Sequence, residues 1–361
     1  MTDVTVRGAG IFGLSIAWAC LQRGARVRVI EAARIGAGSS GGLVGALAPH
    51  TPENWNPKKQ FQLESLLMAG AFWADVARAS ELDPGYARSG RLQPLTDLRA
   101  IAQAERRAEG ARTLWRGAAD WLIEEATDDW RGRSPTGLWV RDTLSAHLHP
   151  RRAGAALAAA IRALGGVIEE GAGDSAPVGP GKPPAGIIEN GRSEGPVIWA
   201  TGVAGLEALS RDQGRPAGGG VKGQAALFRC APGLVPQLFS DALHIVPHLD
   251  GTVAIGSTSE RDWDDPASTD GQLDGLIAKA RALCPMLAAA PVIDRWAGLR
   301  PRATSRAPIL GAWPGHPGHF IANGGFKIGF GMAPKVAEVM ADLVLDGRDA
   351  IPEGFRVEDN L

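Results

Sequence analysis

Residues 4–32, VTVRGAGIFGLSIAWACLQRGARVRVIEA, set three glycines, Gly8, Gly10 and Gly13, in the spacing GxGxxG between a strand pattern and a helical one. Few folds admit that spacing. Gly8 permits a tight turn out of the strand, Gly10 lets main chain approach a pyrophosphate, and Gly13 lets helix lie on strand. The pattern predicts a strand over 2–7, a helix over 14–23 and a second strand over 25–31. Glu31 ends that strand, placed to accept the ribose hydroxyls of an adenosine. A βαβ unit holding one dinucleotide follows. The same spacing recurs at Gly36, Gly38 and Gly41, only five residues past Glu31 and with no new βαβ unit around it, so it reads as a glycine-rich loop. Arg7 stands where a buried first strand normally ends in an apolar residue, and its stem is expected to lie along the sheet edge.

At 361 residues the chain exceeds what one hydrophobic core usually serves, so two domains are expected. The 38 basic and 39 acidic side chains leave a formal net charge of -1, which offers no basic face to a polyanion and argues against nucleic acid as a partner. Cys20, Cys230 and Cys284 are far apart and show no CxxC spacing, which argues against a disulfide framework or zinc site and for a reducing cytoplasm. The opening MTDVTVRGAG has no export-signal pattern, and no apolar run is long enough for a membrane span. His147 with His149 and His316 with His319 lack acidic or cysteine companions at ligand spacing, so no metal site is expected.

Further along, Leu63, Leu66, Leu67, Gly70 and Trp73 recur at helical spacing and predict a long helix from about 58 to 79. Residues 89–95 read as the first strand of a different sheet. The span 97–128, with AERRAEGARTLWRGAADWLIEEA at its centre, predicts a solvated pair of helices. Pro150 starts an Ala-rich helix and GGVIEEG supplies a strand of parallel type. Residues 171–195, dense in Gly and Pro, read as hairpin and loop, and GPVIWATG returns to a buried strand. Residues 216–296 alternate apolar with polar positions, and Asp250-Gly251 marks a hairpin turn within LHIVPHLDGTVAIGS. HFIANGG reads as one more buried strand, and Pro334 is expected to open a last helix. The fold class is therefore α/β. A discontinuous Rossmann-like dinucleotide-binding domain covers 1–80, 143–215 and 297–361, and a second, mainly antiparallel-sheet substrate domain covers 81–142 and 216–296.

Five ordered segments, GAGIFG, IGAGSSGGLVGALAPH, VIWATG, WAGLRP and GGFKIGFGMAP, resemble the FAD-dependent D-amino-acid oxidase superfamily, in particular its glycine oxidase and sarcosine oxidase branches. The resemblance implies FAD as the dinucleotide. Gly8, Gly10, Ile11, Phe12, Gly13, Glu31 and Ala32 would hold its adenosine half, and Ser39 and Ser40 its pyrophosphate. Gly42, Leu43, Val44 and Gly45 would pass beside the flavin, Val167 would lie near the adenine, and Ala200, Thr201 and Gly202 would line the cofactor tunnel. Gly325, Phe326, Lys327, Ile328, Gly329 and Phe330 would wrap the far edge of the ring, just ahead of the last helix. Sarcosine oxidases attach flavin to a cysteine after the arginine motif; this chain has none there, so non-covalent FAD is expected.

WAGLRP raises a physical question of its own, because a guanidinium cannot shed its proton and must reach water or an anion. The resemblance implies that Arg300 also borders the flavin and pairs with the carboxylate of an amino acid, holding the α-carbon over the ring, with Lys327 as a second cation. Family members carry a tyrosine on the strand before the hairpin, where this chain has His244, a third candidate for substrate contact. Ser259, in place of a larger apolar residue, would make the pocket wider or more polar. Arg302 and Arg306 are expected to be bystanders. The expected function is FAD-dependent oxidation of the C–N bond of a small amino acid or secondary amine, such as glycine, sarcosine or a D-amino acid. Hydride passes to flavin, an imine forms, and oxygen or another acceptor takes the electrons. The alternatives are a tRNA wobble-uridine-modifying flavoprotein and a non-catalytic FAD-binding protein.

Overall fold

The structure, a computed structural model, describes residues 3–125, 128–172 and 195–361. The loop expected over 171–195 therefore lies almost wholly outside the described residues. The chain opens as β1 (Val4–Arg7), α1 (Ile11–Gln22), β2 (Val27–Ile30), β3 (Ala46–Leu47), α2 (Pro57–Ser80), β4 (Arg91–Pro94) and α3 (Leu98–Leu114). It continues as β5 (Trp121–Glu125), β6 (Leu138–Asp142), β7 (Ala146–His147), α4 (Pro150–Ala163), β8 (Val167–Glu169), β9 (Val197–Trp199) and α5 (Gly202–Gln213). Then come β10 (Gly218–Arg229), β11 (Gln237–Ser240), β12 (Leu243–Pro247), β13 (Thr252–Gly256) and α6 (Gly271–Leu283). The chain closes with β14 (Val292–Ala303), β15 (Ile309–Ala312), β16 (His319–Asn323) and α7 (Gly329–Asp346).

Two large sheets result. One runs β15-β16-β9-β1-β2-β8, parallel except for the edge pair β15·β16. The other runs β14-β10-β13-β12-β11-β4-β6-β5, antiparallel except where β4 meets β11. Strand β14 crosses the expected boundary at 296/297 and pairs with β10 along its length, so Arg300 belongs to the second sheet. Helix α1 is buried on nearly every side, with α4 and α7 packed against it, as a helix apolar all round requires. Among the described residues no helix is long and apolar enough to cross a membrane.

Two local expectations are corrected. The span 97–128 is not a helical pair: α3 stops at Leu114, Arg116 and Gly117 turn through positive φ, and WLIEE forms β5 beside β6. Trp121 explains the outcome. Its ring is buried 6.1 Å from that of Trp115, and cross-strand burial outweighs the helical propensity of the neighbouring charged residues. Pro334 does not open the last helix but lies inside it, because α7 begins at Gly329. A proline there sacrifices one main-chain bond, to the carbonyl four residues earlier, which burial against α1 and α2 offsets.

At the β1–α1 junction the glycine requirement is geometric. Gly8 sits at φ +99°, and a Cβ on Gly13 would fall 1.9 Å from the Gly8 carbonyl oxygen. Because α1 is enclosed, it cannot back away. Gly13→Ala should cost about 1–3 kcal/mol of stability through overpacking and loosen bound cofactor. Thermal melting and flavin retention on gel filtration test this; an unchanged melt would refute the contact.

His147 on β7 and His248 after β12 are both buried, and burial pushes their imidazoles down to about 4 and about 3. The unfolded chain takes up protons at both sites below about pH 6.5, and the folded chain does not until far lower. Their contribution is therefore complete above that pH and is lost on acidification, by about 1.4 kcal/mol per pH unit for each histidine until the folded values are reached. Urea unfolding between about pH 7.5 and about pH 4.5 should show this slope, reduced in His248→Gln.

Candidate active site

A cavity of about 810 Å³ lies between the two sheets, at the carboxyl ends of β1, β2 and β9. Open parallel sheets bind ligands at that edge, where loops diverge and helix amino termini converge. Gly8, Gly10, Ile11, Phe12, Glu31, Ala32, Ser39, Ser40 and residues 42–45, 200–202 and 325–330 all line it, with Arg300 and His244. Gly13 lies behind the wall, where it sets helix against strand. Val167 stands apart: it is exposed on β8 and does not line the cavity, whereas Ala172, just beyond that strand, does.

The wall fits a dinucleotide. Glu31 accepts from the Ala9 and Ala33 main-chain amides at 2.7 and 3.0 Å, which aims its carboxylate and leaves lone pairs for two hydroxyls. Ser40 Oγ accepts from the Ile11 amide at 2.9 Å and keeps its own proton to donate. Helices α1, α5 and α7 all start at this cavity without a side-chain cap, so three positive dipole ends face it. Because α7 begins at Gly329 rather than at Pro334, its amino terminus is itself part of the wall. Arg7 also reaches the cavity, its guanidinium 4.9 Å over the Trp199 ring.

Arg300 answers the question its sequence posed. Only 7% exposed, it donates from one terminal nitrogen to Ser257 Oγ at 2.5 Å. The other donates to the carbonyls of Thr258 and Lys222 at 2.6 and 3.1 Å. Every acceptor is neutral, and Nε is buried without one. Gly223 opposite makes the room: a Cβ there would lie 2.5 Å from the guanidinium carbon. Burial pushes Arg300 down to about 10, partly opposed by the charge of Glu260, so it stays cationic at neutral pH. Glu260 itself is engaged by Lys222 at 3.6 Å and by Gln224 at 3.0 Å.

Phe326, held at φ 43°, places its ring within 5.3 Å of the Arg300 guanidinium, 5.9 Å of Arg302 and 5.7 Å of the Lys327 ammonium. Among the described residues none of these three cations has an ion-pair partner. Partial burial and the Arg300 charge push the Lys327 ammonium below its usual range. Arg302, expected as a bystander, touches the same ring but does not line the cavity. His244 projects from β12 with its ring 4.6 Å from Phe239, and burial together with the Arg91 and Lys327 charges pushes it down to about 3. It is therefore a neutral imidazole, fit for hydrogen bonding and unfit as a counter-charge.

Ser259 is exposed and outside the wall; Ser257, two residues earlier at the end of β13, is the serine that lines it. Arg91 and Phe239 also line the cavity without any local signal in the sequence, as does Trp296, which opens the WAGLRP segment but carries no expected role there. Arg91 and Phe239 arrive through pairing between strands about 145 positions apart. Among the described residues no group of three or more histidine, cysteine or acidic side chains is arranged for a metal.

Known proteins share this fold. The chain is 35% identical over 141 residues to a glycine oxidase of Pseudomonas putida, a match spanning 37% of this chain and 39% of that protein. It is 27% identical to a glycine oxidase of Bacillus licheniformis across 95% of this chain and 93% of the relative. The crystal structure of glycine oxidase from Geobacillus kaustophilus superposes with a TM-score of 0.82 at 22% identity, covering 98% of each chain. The family model described as FAD dependent oxidoreductase, DAO, matches residues 3–343. With that match over nearly the whole length, and with a cavity whose wall suits the cofactor, the chain belongs to the DAO family of FAD-dependent oxidoreductases.

Proposed function

We propose that this protein oxidises the C–N bond of a small amino acid or secondary amine whose carboxylate is held by Arg300. The observation that carries this is the Arg300 guanidinium, buried beside the dinucleotide site with only neutral acceptors and no ion-pair partner among the described residues, with the Lys327 ammonium at the same cavity wall. Such a group is costly unless an anion completes it. The glycine oxidase relatives favour this reading over tRNA modification or cofactor binding without turnover.

The chain's own residues supply binding, orientation and electrostatics. Arg300 offers donors in a fixed fork, so a carboxylate bound there is oriented as well as held. Lys327 adds a second charge near the same oxygens. The cations also lower the affinity of the substrate amine for its proton, which favours the neutral amine that can give up hydride from the adjacent carbon. His244, neutral and on β12 of the same sheet, is able to accept from or donate to the amine without charging. Phe239 and Trp296 cover the apolar side and limit water. Bound FAD would supply the two-electron acceptor, held by residues 325–330 and the uncapped start of α7, whose partial positive charge would favour the reduced, anionic form. The imine product would hydrolyse in water, and reoxidation would fall to oxygen or another acceptor. The free thiols of Cys20, Cys230 and Cys284 support a reducing compartment such as the cytoplasm.

The decisive experiment is anaerobic mixing of the yellow holoprotein with glycine, sarcosine, D-amino acids and L-proline analogues. At least one should bleach the flavin. Arg300→Leu should weaken carboxylate binding by about 2–3 kcal/mol, roughly 30- to 150-fold. Carboxylate affinity equal to that of the parent would remove Arg300 from the site.

A further inference from the structure

We propose that Arg91 forms a second anion-holding pole in the same cavity, and that the preferred substrate is an amino acid with two carboxylates, one for Arg300 and one for Arg91. The inference rests on the amine-oxidation reading above and names its substrate class.

Arg91 opens β4 and lies directly across from Asp142 on β6. Both are buried, at 6% and 0% exposure. Asp142 is fixed at both oxygens, accepting from Arg91 Nε at 3.0 Å and from the Ser145 amide at 2.8 Å. It therefore grips the guanidinium by its inner edge. Among the described residues, the terminal nitrogens of Arg91 have no protein acceptor. They lie at a wall of the cavity, with the guanidinium carbon 5.4 Å over the Phe239 ring.

A pair of this kind is a poor choice for merely joining β4 to β6, because desolvating two charges offsets most of their attraction and an apolar pair would serve as well. As a ligand site it is well formed. A guanidinium has five N–H donors in a planar fork, Asp142 engages one, and among the described residues the other four have no protein acceptor. Phe239 supplies an apolar floor beside it, and the His244 ring packs on Phe239 at 4.6 Å. The charges of Arg91 and Lys327 both bear on His244, which lines the same cavity. A substrate with one carboxylate satisfies Arg300 and Lys327 and leaves the Arg91 donors to water. Aspartate, glutamate or their N-methyl derivatives would engage both poles.

The test uses the holoprotein. Wild type is titrated anaerobically with both enantiomers of aspartate and glutamate against alanine and sarcosine, and by flavin absorbance with succinate and glutarate against propionate. Dicarboxylates should bind about tenfold more tightly or better, a gap of the size one charge-assisted bidentate contact supplies. Arg91→Met should shrink that ratio to about twofold or less. Because that change strands Asp142 in the core, Arg91→Met/Asp142→Leu carries the same measurement with the pair replaced by apolar side chains. A wild type that prefers monocarboxylates or shows no preference overturns the second pole, as does a ratio unchanged in the double variant. If dicarboxylates bind more tightly but no amine bleaches the flavin, the second pole stands and the amine-oxidation reading fails; bleaching by monocarboxylic amines alone has the reverse meaning.

Discussion

The constraint on which this structure turns is a charge that cannot be discharged. Arg300 lies on an interior-facing strand, is enclosed by β10 and the turn after β13, and meets only neutral oxygens. Three carbonyl or hydroxyl acceptors orient a guanidinium, but they do not cancel it, and the one nearby acid is already committed to Lys222. Folding thus leaves an oriented, uncompensated cation beside a cavity. Arg302 and Lys327 gather around the same phenyl ring and deepen the positive potential instead of relieving it.

The two sheets divide the work of building that cavity. The mostly parallel sheet contributes strand ends, glycine turns and three helix amino termini, features made of main chain and suited to a cofactor with phosphates and ring edges. The mainly antiparallel sheet contributes side chains from five of its strands: Arg300, Ala225, His244, Phe239 and Arg91. Recognition of a small substrate needs such variety, because individual side chains distinguish charge and shape where main chain does not. Loop residues such as Ser257 and Phe326 lie where the two contributions meet.

What was legible locally was read well. The βαβ unit, its glycines and Glu31 follow from short-range periodicity, since each step depends on residues within a turn or two. Arg300 announced itself through chemistry, as a permanent charge in an apolar setting. Where neighbours in space overrode neighbours in sequence, expectation failed. Residues 121–125 look helical beside their charged surroundings, yet the buried Trp121 draws them into a sheet. Pro334 looks like a helix start, yet packing carries α7 one turn further toward the cavity.

The sequence by itself determined that a dinucleotide site forms at the chain's beginning and that an arginine far downstream carries a permanent charge that must meet water or an anion, because spacing and ionisation are properties of the residues themselves. Tertiary structure alone decided which side chains share the cavity. Arg91 meets Gln237 in register, Phe239 meets His244, and Ser257 rather than Ser259 faces inward. Strand pairing and the twofold alternation of side chains set those outcomes, and neither is written in any local stretch.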